Sequence, residues 1–180
     1  MQRFILPGWH GSGAGHWQRL WLEREPDAVV VEQDDWANPD RDGWLARLDE
    51  ALSGVDEAML IAHSLGVILV AHHAATRPRS PVRAALLVAP GDADLHAPTN
   101  PPIASFAPVP RARLPYPSTM VVSRTDPHMS FARSCELAKD LGSHIVDIGD
   151  AGHININSGF GPWPLGFELA DALQKRCIAR

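Results

Sequence analysis

The sequence is poor in cysteine and in long apolar runs. Its two cysteines, Cys135 and Cys177, are too few for a disulfide framework. Each lies in a helix-like segment, so we expect both to be small buried hydrophobic residues. No apolar run approaches the roughly 20 residues that a membrane-spanning helix needs. Residues 1–8 predict a short strand that ends at a turn and lack the longer apolar region of a signal peptide, so we expect a cytoplasmic protein.

Positive charge is also scarce. The chain has 16 Lys and Arg residues against 21 Asp and Glu residues, which gives a net charge of −5 at pH 7. This balance leaves no basic face for nucleic acid or for an anionic membrane surface. Nothing in the charge pattern indicates a protein partner.

Motifs that bind cofactors or metals are missing from the sequence. The glycines within residues 7–15 do not have the G-x-G-x-x-G spacing of a dinucleotide site, and no Gly-Lys-Ser/Thr marks a P-loop. Neither H-E-x-x-H nor a paired C-x-x-C is present, which disfavours zinc or two-metal hydrolysis. We therefore expect neither a cofactor nor a metal ion.

The apolar content suffices for one full core. Hydrophobic residues make up 45% of the 180 positions, so residues 1–180 are expected to form a single domain. Apolar or β-branched runs predict six strands, at residues 3–6, 28–33, 58–62, 82–90, 118–123 and 143–149. Helical spacing lies between most of them, as at residues 44–55, for which Asp42 is the expected N-cap. This alternation predicts an α/β fold with a mostly parallel six-stranded sheet and helices on both faces.

The third predicted strand runs directly into a tight turn and a helix. Ser64 stands at the centre of this turn, in the segment Ala-His-Ser-Leu-Gly. A serine in such a turn projects its hydroxyl above the sheet edge, as in the nucleophile elbow G-x-S-x-G. Small residues are needed two positions before and after the serine because the two backbones nearly touch, and Ala62 and Gly66 meet this need. The motif alone also fits a serine that caps a helix.

The carboxyl ends of parallel strands meet at one edge of the sheet, where ligands bind. Ser64 would lie there with His153, which follows the sixth strand and can act as its base. Asp126, after the fifth strand, would orient the imidazole. The order Ser, Asp, His is the one expected of the α/β-hydrolase arrangement. Asp92 and Asp94 follow the fourth strand and compete for the role of the acid, although the position after strand five favours Asp126.

An oxyanion hole is the remaining requirement for acyl transfer. One donor is expected to be the backbone N–H of Leu65, the residue after the nucleophile. The second should come from the loop after an early strand. We expect it at Trp9, immediately after the strand-ending Gly8, with His10 as the alternative.

Four side chains near these positions are candidates for the substrate pocket: His10, His63, Trp36 and Trp163. We expect His63 to support the pocket rather than to act as the base. The tryptophans fit either an apolar acyl pocket or a cover over the core. Residues 91–117 are rich in proline and lack periodicity, which predicts a long loop or small lid with a short helical turn near residues 103–106. A functional loop and a plain surface crossing fit this segment equally well.

Short blocks of sequence lie in a specific order along nearly the whole chain: residues 6–12, 16–18, 32–36, 62–66, 125–127, 151–155 and 158–164. Together they resemble the small serine hydrolases of the retinoblastoma-binding protein nine and YdeN family. The resemblance implies a compact α/β-hydrolase fold without a large cap domain. It also implies a catalytic triad at Ser64, Asp126 and His153.

Two functions from different classes follow. The first is a serine hydrolase that cleaves a small carboxylic ester, thioester or activated amide through an acyl-enzyme on Ser64, with a small-molecule acyl substrate. The second is a catalytically weak or inactive binding module for a protein partner or a small ligand, since one fold hosts many functions. The competent residues at all three triad positions favour the hydrolase.

Overall fold

The protein folds around one six-stranded sheet, and a computed structural model describes residues 1–178. The strands are β1 (Gln2–Leu6), β2 (Val29–Val30), β3 (Ala58–Ser64), β4 (Val82–Pro90), β5 (Ser118–Val122) and β6 (His144–Asp147). Their order is β2-β1-β3-β4-β5-β6, and every neighbouring pair is parallel. This confirms the predicted α/β fold class. The assignment of residues 1–180 to a single domain stays a prediction.

Helices cover both faces of the sheet. They are α1 (Trp17–Arg24), α2 (Arg41–Ala51), α3 (Leu65–Thr76), α4 (Ala93–His96), α5 (Phe131–Leu141) and α6 (Pro164–Ile178). Short 3₁₀ helices span Ala97–Thr99, Pro101–Phe106 and Ile156–Ser158. The helices α2, α3 and α5 pack on one face, and α1 and α6 pack on the other. Within residues 1–178, every helix is too short or too polar to cross a membrane.

The central strand β3 shows why the sheet is covered on both sides. Leu60 and Ala62 belong to the core on the α2–α3 face, while Met59 and Ile61 belong to the core on the α1–α6 face. All four are fully buried. Successive side chains of a strand point to opposite faces, so a central parallel strand must be apolar at every position.

Two local predictions are wrong. Strand β2 is confined to Val29–Val30, shorter than the predicted run over residues 28–33, because it pairs with β1 alone at the edge of the sheet. The N-cap of α2 is Asp40 rather than Asp42. The Asp40 carboxylate accepts a hydrogen bond of 2.8 Å from the Gly43 N–H, and its own backbone is extended, as an N-cap requires.

The cysteines also differ from the prediction. Cys135 and Cys177 are only partly buried. On α5 the buried stripe is formed by neighbouring residues, among them Ser134 and Leu137, so Cys135 lies beside the stripe and not in it. A helical segment predicts which residues share a face, but it does not by itself place a given cysteine on that face.

The segment 91–117 is more ordered than a long loop. It contains α4 and two of the 3₁₀ helices, and the predicted turn near residues 103–106 is present within Pro101–Phe106. Ile103 and Phe106 are buried in the core on the α2–α3 face. The segment therefore forms part of the packed molecule beside the carboxyl edge of β4.

Candidate active site

The turn that carries Ser64 joins a strand to a helix without any intervening loop residue. Strand β3 ends at Ser64 and α3 begins at Leu65, with no residue between them. Ser64 has φ 54° and ψ −121°, a conformation that side-chain-bearing residues rarely adopt. Such a conformation costs about 1–3 kcal/mol and persists where the surrounding structure enforces it. It is typical of a nucleophile elbow.

Small residues around Ser64 are required by close backbone contacts. A Cβ atom on Gly66 would lie 2.4 Å from the Leu6 carbonyl oxygen, and one on Gly8 would lie 2.6 Å from the Ser64 Cβ. Neither distance leaves room for a methyl group. Ala62, at the position of the first motif glycine, is fully buried within β3, so its methyl group is accommodated there.

His153 and Asp126 form a buried pair. The His153 Nδ1 lies 3.0 Å and 2.9 Å from the two carboxylate oxygens of Asp126. Their side chains are only 8% and 2% exposed. The Asp126 carboxylate also accepts a hydrogen bond of 2.8 Å from the His128 N–H, which fixes the carboxylate. In this geometry Asp126 can hold one tautomer of the imidazole and stabilise its charged form.

The loop that carries His153 is attached to the end of β5. The Ala151 N–H donates to the Ser123 hydroxyl at 3.0 Å, and the Gly152 N–H donates to the Thr125 hydroxyl at 3.1 Å. The two acceptors lie three residues and one residue before Asp126 in the chain. The acid and the histidine are therefore held by one connected set of hydrogen bonds.

Other histidine rings surround His153. The His63 Nε2 donates to the His153 carbonyl oxygen at 2.8 Å, and the two rings lie 4.7 Å apart. The His128 ring packs against His153 at 4.3 Å, and His16 lies 5.1 Å from His63. Burial, together with the nearby His153, lowers the pKa of His63 well below its usual value and that of His16 to about 4. Both rings are therefore neutral at pH 7.

Nitrogen atoms of the histidine cluster are engaged in hydrogen bonds. Across residues 1–178, no group of three or more His, Cys, Asp or Glu side chains is arranged to hold a metal ion. Nitrogen atoms of His16, His63 and His153 are occupied by the Gln18 N–H, a carbonyl and a carboxylate. These contacts organise the loop around His153.

The nucleophile and the base are not yet in hydrogen-bond contact. Among the described residues, the Ser64 hydroxyl makes no hydrogen bond to His153. In hydrolase sites without substrate this contact is often long and tightens only in the complex. The two residues border one region, because His128 packs against His153 and lines the same cavity as Ser64.

Two backbone N–H groups beside Ser64 are available as oxyanion donors. Leu65 is the first residue of α3, so its N–H has no acceptor within the helix. In the part of the chain that the structure describes, the Trp9 N–H has no acceptor either. The His10 N–H, by contrast, donates to the Trp36 carbonyl at 3.0 Å and is engaged. This geometry favours Trp9 over His10 as the second donor.

The competing acids have other partners. Asp92 is paired with the Arg133 guanidinium through both carboxylate oxygens, one of them at 2.8 Å. Asp94 accepts a hydrogen bond of 2.8 Å from the Val109 N–H. Within residues 1–178, the carboxylate that contacts the His153 ring is that of Asp126.

A cavity of about 180 Å³ opens at Ser64. Its walls come from the Gly8 turn, the elbow, the segment after β4 and the loop after β5. The lining residues are Trp9, Ser64, Leu65, Gly91, Asp92, Ala93, His96, Asn100, Ile103 and His128. Sequence reasoning missed His96, Asn100, Ile103 and His128. The position of His128 two residues after Asp126 was a usable signal, but the aperiodic segment 91–117 gave none for the others.

The four side chains expected in the pocket lie outside this lining: His10, His63, Trp36 and Trp163. His10 is exposed, and Trp36 packs edge-on against Trp44 at 5.4 Å. Trp163 is buried in the core on the α1–α6 face, where its ring packs edge-on against Trp17 at 5.1 Å. His63 lies beneath the His153 loop, consistent with a supporting position. The expected pocket is corrected accordingly.

Comparison with known proteins adds independent information. A family model described as serine hydrolase matches residues 3–172. A search of curated proteins gives no match. A candidate YdeN-like hydrolase from Pectobacterium atrosepticum has a similar structure, with a TM-score of 0.86 and 29% identity over 98% of this chain and 91% of that chain.

Two more distant structures share the fold. The ydeN gene product from B. subtilis has a TM-score of 0.77 and 19% identity, over 97% of this chain and 98% of that chain. Est1E from Butyrivibrio proteoclasticus, solved with ferulic acid bound, has a TM-score of 0.73 and 11% identity, over 99% and 90% of the two chains. At these identities the likeness shows the fold alone.

Proposed function

The chain belongs to the serine hydrolase family, and we propose that it hydrolyses a small carboxylic ester, thioester or activated amide through an acyl-enzyme on Ser64. The substrate is a small molecule with an acyl group. The observation that carries the proposal is the buried Asp126–His153 pair, beside an elbow in which Ser64 is held at φ 54°.

The reaction proceeds in two halves. The Ser64 Oγ attacks the substrate carbonyl carbon while His153 Nε2 takes the hydroxyl proton, and the N–H groups of Leu65 and Trp9 stabilise the oxyanion. His153 then gives the proton to the leaving group, and the acyl-enzyme remains. Water attacks this ester with His153 as base, the acid is released and Ser64 regains its proton. Asp126 keeps the imidazole in the required tautomer throughout.

The alternative, a non-enzymatic binding module, is disfavoured by the family membership and by a buried carboxylate–imidazole pair whose members have no other evident role. A cytoplasmic location and the lack of a nucleic-acid partner remain predictions of the sequence, which gives no indication of a protein partner.

Covalent labelling by a fluorophosphonate probe tests the proposal. We expect the native protein to be labelled on Ser64, and Ser64→Ala and His153→Ala to lose the label. His144→Ala is the matched control, because His144 is an exposed histidine on β6 outside the cavity lining, and its labelling should equal that of the native protein. Labelling that survives Ser64→Ala would assign the nucleophile elsewhere. A folded native protein that is not labelled would support the binding module.

A further inference from the structure

The cavity at Ser64 has a mostly apolar lining, and its size limits what fits inside it. At about 180 Å³ it is slightly larger than a 150 Å³ protein cavity that holds benzene, so it takes on the order of six carbon atoms. Part of this lining is formed by Ala93 and Ile103, which are 1% and 6% exposed and belong to the main core on the α2–α3 face.

The chemistry of acyl transfer determines how a substrate would be oriented in this cavity. The leaving group must receive its proton from His153, so it lies on the side where the His128 ring packs against His153 at 4.3 Å. The carbonyl oxygen points at the N–H groups of Leu65 and Trp9. The acyl chain extends from the same carbon into the remaining lining, to which Ala93 and Ile103 belong.

The segment that carries Ile103 is hydrogen-bonded to two helices through the residues that follow Ile103. The His72 Nε2 is hydrogen-bonded to the Phe106 carbonyl at 2.9 Å, which joins the segment to α3. The Arg41 N–H donates to the Ser105 hydroxyl at 3.0 Å, which joins it to α2. Phe106 itself is fully buried. The segment therefore cannot move aside for a long chain without disrupting the core.

The charge of the lining also restricts the acyl group. None of the described residues that line the cavity is lysine or arginine, so an anionic acyl group would have no cation to pair with there. The one carboxylate, Asp92, has a 1% exposed side chain and is neutralised by Arg133. An uncharged apolar acyl group fits this cavity lining best.

From these observations, and resting on the proposed function, we propose that the enzyme acts on short, uncharged acyl groups of up to about six carbons, and that Ile103 sets this limit. Ile103 is a specificity-determining residue in the lining of the acyl pocket. A longer chain would meet the packed side chain before its carbonyl carbon reached Ser64.

A chain-length series of p-nitrophenyl esters tests the limit. We expect kcat/KM to be highest for acetate to hexanoate and about tenfold or more lower for decanoate. Ile103→Ala should raise the decanoate-to-butyrate ratio of kcat/KM by about tenfold. Ile103→Phe should act in the opposite sense and lower the butyrate-to-acetate ratio. Ile103→Val, a milder truncation that removes one methylene, must shift the ratio in the same direction as Ile103→Ala.

Val109→Ala is the matched control for Ile103→Ala. Val109 is also 6% exposed and lies in the same core and segment, but it does not line the cavity. Its substitution should leave the chain-length ratio unchanged. A native enzyme that hydrolyses decanoate as well as butyrate would overturn the inference, as would Ile103 variants that behave like Val109→Ala. Fluorophosphonate labelling of Ser64, measured in parallel, distinguishes this failure from a failure of the proposed function.

Discussion

The histidines around Ser64 differ in what they can do because each ring has a different partner. The His63 ring is buried and donates through Nε2 to a carbonyl, while the His16 Nδ1 accepts from a backbone N–H. His153 has its Nδ1 on a carboxylate, and among the described residues its Nε2 has no hydrogen-bond partner. A general base needs this combination, because one nitrogen must be held by a carboxylate while the other faces the nucleophile. At the residue scale, His153 is therefore the ring suited to act as the base.

The role of Asp126 can be separated from that of Asp92 by amide substitution. Asp126→Asn should lower kcat by roughly 10³–10⁴-fold with little change in KM, because the wrong imidazole tautomer would be held. Asp92→Asn should keep kcat within about tenfold of the native value and lower the free energy of unfolding by about 1–3 kcal/mol, since it weakens the pair with Arg133. Steady-state kinetics and urea unfolding measure the two effects. A large loss of kcat in Asp92→Asn, with Asp126→Asn near native, would assign the acid to Asp92.

At the scale of elements, the site depends on how closely β1, β3 and α3 approach one another. The strained Ser64 backbone is enforced because α3 begins directly after β3 and crosses the end of β1. The contact between Gly66 and the Leu6 carbonyl makes this crossing possible. The same glycines that allow close packing thus hold the serine hydroxyl above the sheet edge.

Alanine substitution at these glycines tests the crossing. Gly66→Ala should lower the free energy of unfolding by about 3 kcal/mol or prevent folding, because its Cβ would lie 2.4 Å from backbone oxygen. Gly13→Ala, in the loop after β1, should change stability by about 0.5 kcal/mol or less, since a Cβ there meets nothing within 4 Å. Urea unfolding midpoints give the comparison. Similar midpoints for the two variants would show that the close approach is absent in solution.

At the scale of the whole molecule, the sequence predicts the parts that depend on a periodic pattern. The number of strands, the two helical faces and the position of Ser64 at the end of β3 follow from apolar runs and a short motif, and the structure agrees. The cavity wall at His96, Asn100 and Ile103 was not predictable, because a four-residue helix and two short proline-containing 3₁₀ helices are too short to show a period that marks an inward face. Trp163 illustrates a second limit. A tryptophan packs equally well in a core or a pocket, so its residue type does not decide between them.

Buried histidines make the stability of the whole molecule depend on pH. Burial lowers the pKa of His73 and of His16 to about 4, with the charge of His153 adding to the effect at His16. In the unfolded chain both rings titrate near pH 6.5. Between pH 6.5 and about 4 the unfolded state binds protons that the native state does not, so stability falls as the pH falls through this window. Each ring contributes a slope of up to about 1.4 kcal/mol per pH unit, and the contribution is fully present above pH 6.5.

Replacing one ring isolates its share of this dependence. His73→Gln should flatten the plot of unfolding free energy against pH between 7.5 and 5. The native imidazole is 1% exposed and takes up a proton in this range only when the chain unfolds, and glutamine removes this difference. His144→Gln, at an exposed position on β6, should leave the slope unchanged. Urea unfolding at four or more pH values gives the slopes. A His73→Gln slope equal to that of His144→Gln would show that His73 is not held in its neutral form by burial.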